Sequence, residues 1–161
     1  MKLVHCKIPN GFFKNPIHLI ASGFGVGLSP IMPGTCGTLI IGIPVYLLLS
    51  HLSLISYLAI TILLTLICFW LCDKTARNLK QNDPQCIVLD EVIGLLCTMI
   101  GAPNNITSLI IGFLLFRIFD ILKPWPISWL DREIHGGIGI VLDDIAAGTV
   151  AAVFLQLIKY F

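Results

Sequence analysis

Residues 138–158 constrain the fold more than any other stretch. They form a run of 21 residues, almost wholly apolar, that carries two adjacent carboxylates, Asp143 and Asp144. The length suits a helix crossing a bilayer, which needs about 20 apolar residues. One acid at mid-bilayer costs roughly 2.5–3.5 kcal/mol on insertion scales. Two such acids in one helix point to a working charge in an apolar frame. A bound metal ion, with the rest of the chain arranged to complete its site, is the reading that follows.

The whole chain has the character of an integral membrane protein. Of its 161 residues 57% are hydrophobic and 12% charged, with a mean hydropathy of +0.94. Soluble domains run near 45–50% apolar and about 25% charged. The length predicts one domain, residues 1–161. A net charge of +1 leaves no basic footprint for nucleic acid. Residues 1–16 hold lysines but no apolar core of a cleavable signal. The six cysteines show neither a CxxC pair nor zinc spacing, and Cys68, Cys72 and Cys97 lie in apolar runs as buried thiols would.

Along the chain, residues 23–38 are rich in glycine and proline and predict a loop rather than a regular helix or strand. A short apolar run follows at 39–49, broken by Gly42 and Pro44. Residues 52–72 contain no charge and are the cleanest spanning candidate. A polar loop is expected over 73–85. Apolar segments follow at 86–102 and 106–122, and the latter ends at Lys123-Pro124 because a residue before proline is pushed out of the helical region. Trp125, Trp129, Asp131, Arg132 and His135 read as an interfacial loop. The predicted architecture is all-α, a membrane-embedded bundle of about four to five apolar helices.

Topology sharpens this. With hairpins over 39–72 and 86–122 and a last helix crossing alone, Lys2, Lys7, Lys14, Lys74, Arg77, Lys80, Lys123 and Arg132 share one side, leaving Lys159 on the other. The positive-inside rule makes the shared side cytoplasmic. Asp73, Asp90, Glu91, Arg117, Asp120, Lys123, Asp143 and Asp144 then all fall at one depth near that interface. The acids outnumber Arg117 and Lys123 by three, or by four with Asp73, and burying them unpaired would be prohibitive. Oxygen ligands with no paired histidine or cysteine favour a hard divalent cation, Mg²⁺ first, Mn²⁺ or Ca²⁺ after it.

Plainer readings exist for each motif alone. Arg117 and Asp120 at i, i+3 could be an intrahelical ion pair at a membrane boundary. Asp143 and Asp144 point about 100° apart, so one could ligate while the other orients a neighbour, or the pair could relay protons. Gly148 would let a second helix approach closely. Residues 87–91 imitate an acidic nucleotide-hydrolase strand, but no phosphate loop accompanies them. His5, His18 and His51 read as bystanders, and His135 as a secondary site candidate. The short glycine turn Gly34–Thr38 could offer N–H groups and hydroxyls to an anion or simply start a helix. A small ion or proton transporter would also keep intramembrane acids, but spread through the depth. A structural subunit would leave the glycine–proline loop unexplained.

Taken in order, the motifs are specific. Leu28-Ser29-Pro30-x-x-Pro33-Gly34-Thr35-x-Gly37-Thr38, Asp73, Asp90-Glu91-x-x-Gly94, Phe116-Arg117-x-x-Asp120-x-x-Lys123-Pro124-x-Pro126 and Gly136-Gly137-x-Gly139-x-x-x-Asp143-Asp144 together resemble the phosphatidylglycerophosphatase A family over residues 23–152. The resemblance implies an all-helical, Mg²⁺-dependent lipid phosphatase of the bacterial inner membrane, multi-pass, with its site facing the cytoplasm. Its reaction would convert the phospholipid phosphatidylglycerophosphate to phosphatidylglycerol and phosphate. The expected metal and water-orienting set is Asp90, Glu91, Asp143 and Asp144, with Asp120 and Asp73 as further candidates. Arg117 and Lys123 would hold the phosphate, Arg117 by its planar fork, with Thr35, Ser29, Gly34 and Thr38 beside them. Mg²⁺ would neutralise phosphate oxygens and activate water for in-line attack, with one carboxylate as general base.

Overall fold

A computed structural model describes residues 8, 9 and 11–159, and the described residues contain helices and no strands. Lys2, His5, Cys6 and Lys7 lie outside them. In chain order the helices are α1 (Pro16–Ala21), α2 (Pro33–Leu49), α3 (Leu54–Leu79), α4 (Leu89–Thr98), α5 (Ile106–Leu122), α6 (Ile127–Glu133) and α7 (Gly136–Lys159). A π turn over Thr38–Gly42 interrupts α2.

The predicted all-helical architecture stands, with three shifts of boundary. The glycine–proline stretch was expected to stay irregular, yet α2 begins inside it at Pro33. Proline suits the first turn of a helix, where its missing N–H has no partner to lose. The predicted loop 73–85 is also partly helical, since α3 runs on to Leu79. Thr75 and Ala76 are buried, Arg77 pairs with Asp73 one turn back, and Lys80 closes the helix in a left-handed conformation. The tryptophan-bearing loop holds α6.

The residue-138 helix is the hub. α7 packs on α3, α4, α5 and α6. Its inner face places Ala147, Ala151 and Leu155 against Leu95 and Leu96 of α4, Met99 just past its end, and Phe116 of α5. Higher up, Ile140 and Val141 meet Cys68, Cys72 and Ala76 of α3 and Ile93 of α4. Cys68 and Cys72 are buried as expected, with their sulfurs 3.6 Å apart; Cys97 is only half-buried.

The α4–α7 crossing is close because both partners use glycine there. A Cβ on Gly148 would stand 2.3 Å from the carbonyl oxygen of Gly94, and a Cβ on Gly94 would stand 2.4 Å from the Phe116 ring. The close approach expected of Gly148 is therefore present. Gly148→Val is expected to cost about 3 kcal/mol or more, since backbone leaves less room to yield than the side chains of ordinary overpacking. Thermal melting in detergent checks this; a melting temperature equal to that of the parent protein would contradict it.

Two helices, α3 and α7, are long and apolar enough to cross a membrane. α4 has 10 residues and α5 has 17, so they lie below and at the lower limit of a span. Among the described residues, two helices thus have full spanning length. Only 22% of the most apolar window of α3 is buried. Ile55, Ile62, Leu63, Leu66, Ile67 and Trp70 are exposed along it, which is the surface of a membrane-associated protein.

Candidate active site

Five acids converge at one end of the bundle, carried by three different helices. Asp90 and Glu91 occupy the first turn of α4, where the helix N-terminus favours negative charge. Asp120 comes from the last turn of α5, and Asp143 and Asp144 from the second turn of α7. Together with Asp83, Lys123, Pro33 and Gly34 they line a cavity of about 180 Å³. Of the residues expected at one depth, Asp90, Glu91, Asp120, Lys123, Asp143 and Asp144 border this cavity and Asp73 does not.

Inside the cavity the carboxylates divide by partner. One oxygen from each of Glu91, Asp120 and Asp144 lies within 4.8 Å of the other two. Glu91 accepts bonds from the Arg117 guanidinium and from Thr38 Oγ1, the latter at 3.2 Å. Arg117 also reaches Asp120 at 3.0 Å. The intrahelical Arg117–Asp120 pair thus exists, but as part of a bridge to α4. Asp143 turns away from this group and accepts from Lys123 Nζ at 2.5 Å. Asp144 is 4% exposed, and its carboxylate has no hydrogen bond or ion pair with any described residue. The two adjacent acids of α7 have separate tasks, as their 100° offset allows.

Lys123 sits just past α5 with φ of 41°, a left-handed conformation uncommon outside glycine. That turn aims its ammonium at Asp131 of α6 and Asp143 of α7, 2.6 and 2.5 Å away. Burial disfavours its charge, but the two carboxylates outweigh this and raise its pKa above the usual lysine value. Asp131 had been read only as part of an interfacial loop. Its place eight residues after Lys123 carries no helical periodicity, because a helix end and a turn lie between them.

Not every expected residue joins. Asp73 does not reach the acidic group: it pairs with Arg77 at 2.9 Å and lines a separate cavity with His135, Gly136 and Gly137. A Cβ on Gly137 would stand 2.3 Å from that of Asp73, so this contact sets how α7 starts against α3. Ser29 bonds the Ile31 carbonyl and lies outside the cavity lining. Thr38 bonds Glu91 instead of facing open space. Thr35 Oγ1 is buried without a partner. Gly34 borders the cavity so closely that a Cβ would meet Glu91 Oε1 at 1.7 Å. Neither Arg117 nor Lys123 is a free cation: each already bridges two carboxylates. His18 stacks on Phe12 and bonds Thr75 and Asn78, a structural role.

Asp83 was not singled out from the sequence. It lies in the polar turn after α3, and only the fold returns it to the cavity rim. The residue is exposed, while protein encloses the inner side of its carboxyl. This partial desolvation raises its pKa, Lys123 opposes the rise, and Asp131 and Asp120 add to it.

Six carboxylates therefore line a cavity that Lys123 and Arg117 alone offset. The converging donors are all hard oxygens, and one of them is buried with no partner. That set fits a hard divalent cation. All-helical over the described residues, apolar on its flanks and acidic at one end, the molecule is of the class that joins a polar acidic cavity to a membrane-compatible apolar surface.

The sequence model of phosphatidylglycerophosphatase A matches residues 19–159. A phosphatidylglycerophosphatase A from Escherichia coli (strain K12) is 46% identical over 148 residues, covering 91% of this chain and 86% of the relative. Another of the same name from Haemophilus influenzae is 40% identical over 148 residues, covering 91% of each. No solved structure matches the chain. The chain belongs to the phosphatidylglycerophosphatase A family, and it is a phosphatase.

Proposed function

We propose that the acidic cavity is where this phosphatase hydrolyses the terminal phosphomonoester of phosphatidylglycerophosphate, giving phosphatidylglycerol and inorganic phosphate with the help of Mg²⁺. The observation that carries the reading is the convergence of Glu91, Asp120 and Asp144 from three helices, with oxygens within 4.8 Å. Glu91, Asp120 and Asp144 would hold the ion, with Asp90 beside them. When bound, Mg²⁺ supplies positive charge to the phosphoryl oxygens as the ester bond breaks.

The chain's own residues do the rest. Arg117 fixes Glu91 and Asp120 in register, so the carboxylates are set before substrate arrives. Lys123, on the rim, is placed to take a phosphate oxygen when Asp143 and Asp131 share it. Gly34 lets the Glu91 carboxylate lie against the backbone of α2, and the Thr35 hydroxyl is a donor without an assigned bond among the described residues. Asp73 steadies the start of α7 through Gly137 rather than holding metal. A lipid whose phosphate lies at headgroup depth would reach such a site without leaving the bilayer. In this reading α3 and α7 span a bacterial inner membrane, with the cavity on the cytoplasmic side.

The test is phosphate release from phosphatidylglycerophosphate in detergent micelles. Release is expected with Mg²⁺, is expected to fall to background with excess chelator, and should return when Mg²⁺ is restored in excess. Chelator-resistant release would remove the metal from the reaction.

A further inference from the structure

We propose that Asp83 is the proton acceptor for the water that attacks the phosphomonoester. The proposal rests on the acidic cavity being the reaction site. The other carboxylates of the cavity are poorly placed for this task. Glu91 and Asp120 are bound to Arg117, and Asp143 to Lys123. Asp90 accepts from the N–H of Glu91 at 3.0 Å, and both it and Asp144 are buried. A general base must also return its proton to solvent once per turnover. Asp83 alone among the lining acids is exposed and makes no hydrogen bond or ion pair with a described residue. It borders a second cavity too, shared with Asn82, His135 and Asp143, so it stands between the two and reaches solvent.

The turn that carries Asp83 is built rather than slack. Lys80 closes α3, and Gln81 N–H donates back to the Ala76 carbonyl at 3.2 Å. Pro84 is fully buried directly after Asp83. Ile87 N–H donates to Pro84 O at 2.9 Å, and Val88 N–H to Ala21 O at 3.1 Å. Both flanks of Asp83 are thereby fixed, which is what a positioned base requires.

In the step, the water oxygen forms a bond to phosphorus while one of its protons passes to Asp83. The phosphorus–oxygen ester bond breaks, and its electron pair leaves with the glycerol oxygen. That oxygen takes up a proton from solvent at the mouth, and Asp83 gives its own back to solvent. No net proton is consumed beyond those of the water.

The experiment measures phosphate release by the full chain in micelles with saturating Mg²⁺. Asp83→Asn is expected to lower kcat by about 10²–10⁴-fold, the usual contribution of a positioned general base, with KM and the Mg²⁺ half-saturation point changed less than about threefold. Asp83→Ala is expected to recover part of its kcat in added formate, a recovery that a structural role would not give. A kcat for Asp83→Asn within about threefold of the parent overturns the proposal. So does a loss that appears in the Mg²⁺ half-saturation point, or the absence of formate rescue. Asp144→Asn run in parallel separates the two readings. If Asp144→Asn stays active, the cavity is not the reaction site and Asp83 falls with it; if it is inactive while Asp83→Asn is active, the proton acceptor alone is wrong.

Discussion

Asp144→Asn is expected to lower Mg²⁺-dependent phosphate release by on the order of 10²–10³-fold, the range seen when one preorganised electrostatic group is removed. Asparagine keeps the size of aspartate but removes a charge that makes no hydrogen bond or ion pair with a described residue. Burying that charge without a counter-ion is costly, so the same change is expected not to impair folding while it lowers turnover. Asp144→Asn is accordingly expected to melt no lower than the parent in chelator. A variant that is both active and Mg²⁺-dependent would place the reaction outside the acidic cavity. One that is inactive and also unfolds early would make Asp144 a structural group instead.

The second large effect is expected from Gly34→Ala, a change of one methyl group. The new Cβ would stand 1.7 Å from Glu91 Oε1 and 3.5 Å from Arg117 Nη1. Glu91 must give way, and with it the contacts to Arg117 and Thr38 that hold the group in register. A displacement near 1 Å at a reacting centre can cost about 10²-fold, so kcat is expected to fall by about that factor. α2 tolerates alanine as a helix former, but disturbing the buried Glu91–Arg117 pair is expected to lower the melting temperature as well, so kcat is to be read at a temperature where the variant is folded. Normal turnover in folded Gly34→Ala would show that Glu91 is free to shift without consequence.

These two residues show what the sequence discloses and what it withholds. Asp144 was visible because a charge inside an apolar run is an anomaly whatever the fold. Glu91, Asp120 and Arg117 were visible for the same reason, and matching their depths in a bilayer brought them together before any coordinates. Depth, however, is one dimension. It puts Asp73 level with the others, yet around the bundle Asp73 faces Arg77 and the start of α7. Asp83 and Asp131 lie in polar surroundings where an acid is unremarkable, so neither stood out. The start of α2 at Pro33 and the length of α3 were missed because composition suggests loops at both places. There, burial of Gly37, Thr38, Thr75 and Ala76 decides the backbone. Arg117 and Lys123 carried the right chemistry, but their bridging partners come from other helices and could not be read from spacing.

The central position of α7 bears on how the protein is made. Chain synthesis runs from α1 toward α7, and α7 contacts four of the helices that precede it. Until it inserts, the acids of α4 and α5 lack Asp144, and the Gly94 backbone lacks the surface it was left bare to receive. If the acidic cavity is the reaction site, nascent chains that have not yet delivered this helix lack part of it and are expected to be inactive on lipid. Activity would then arrive late and all at once, and its appearance would serve as a clock for the docking of α7.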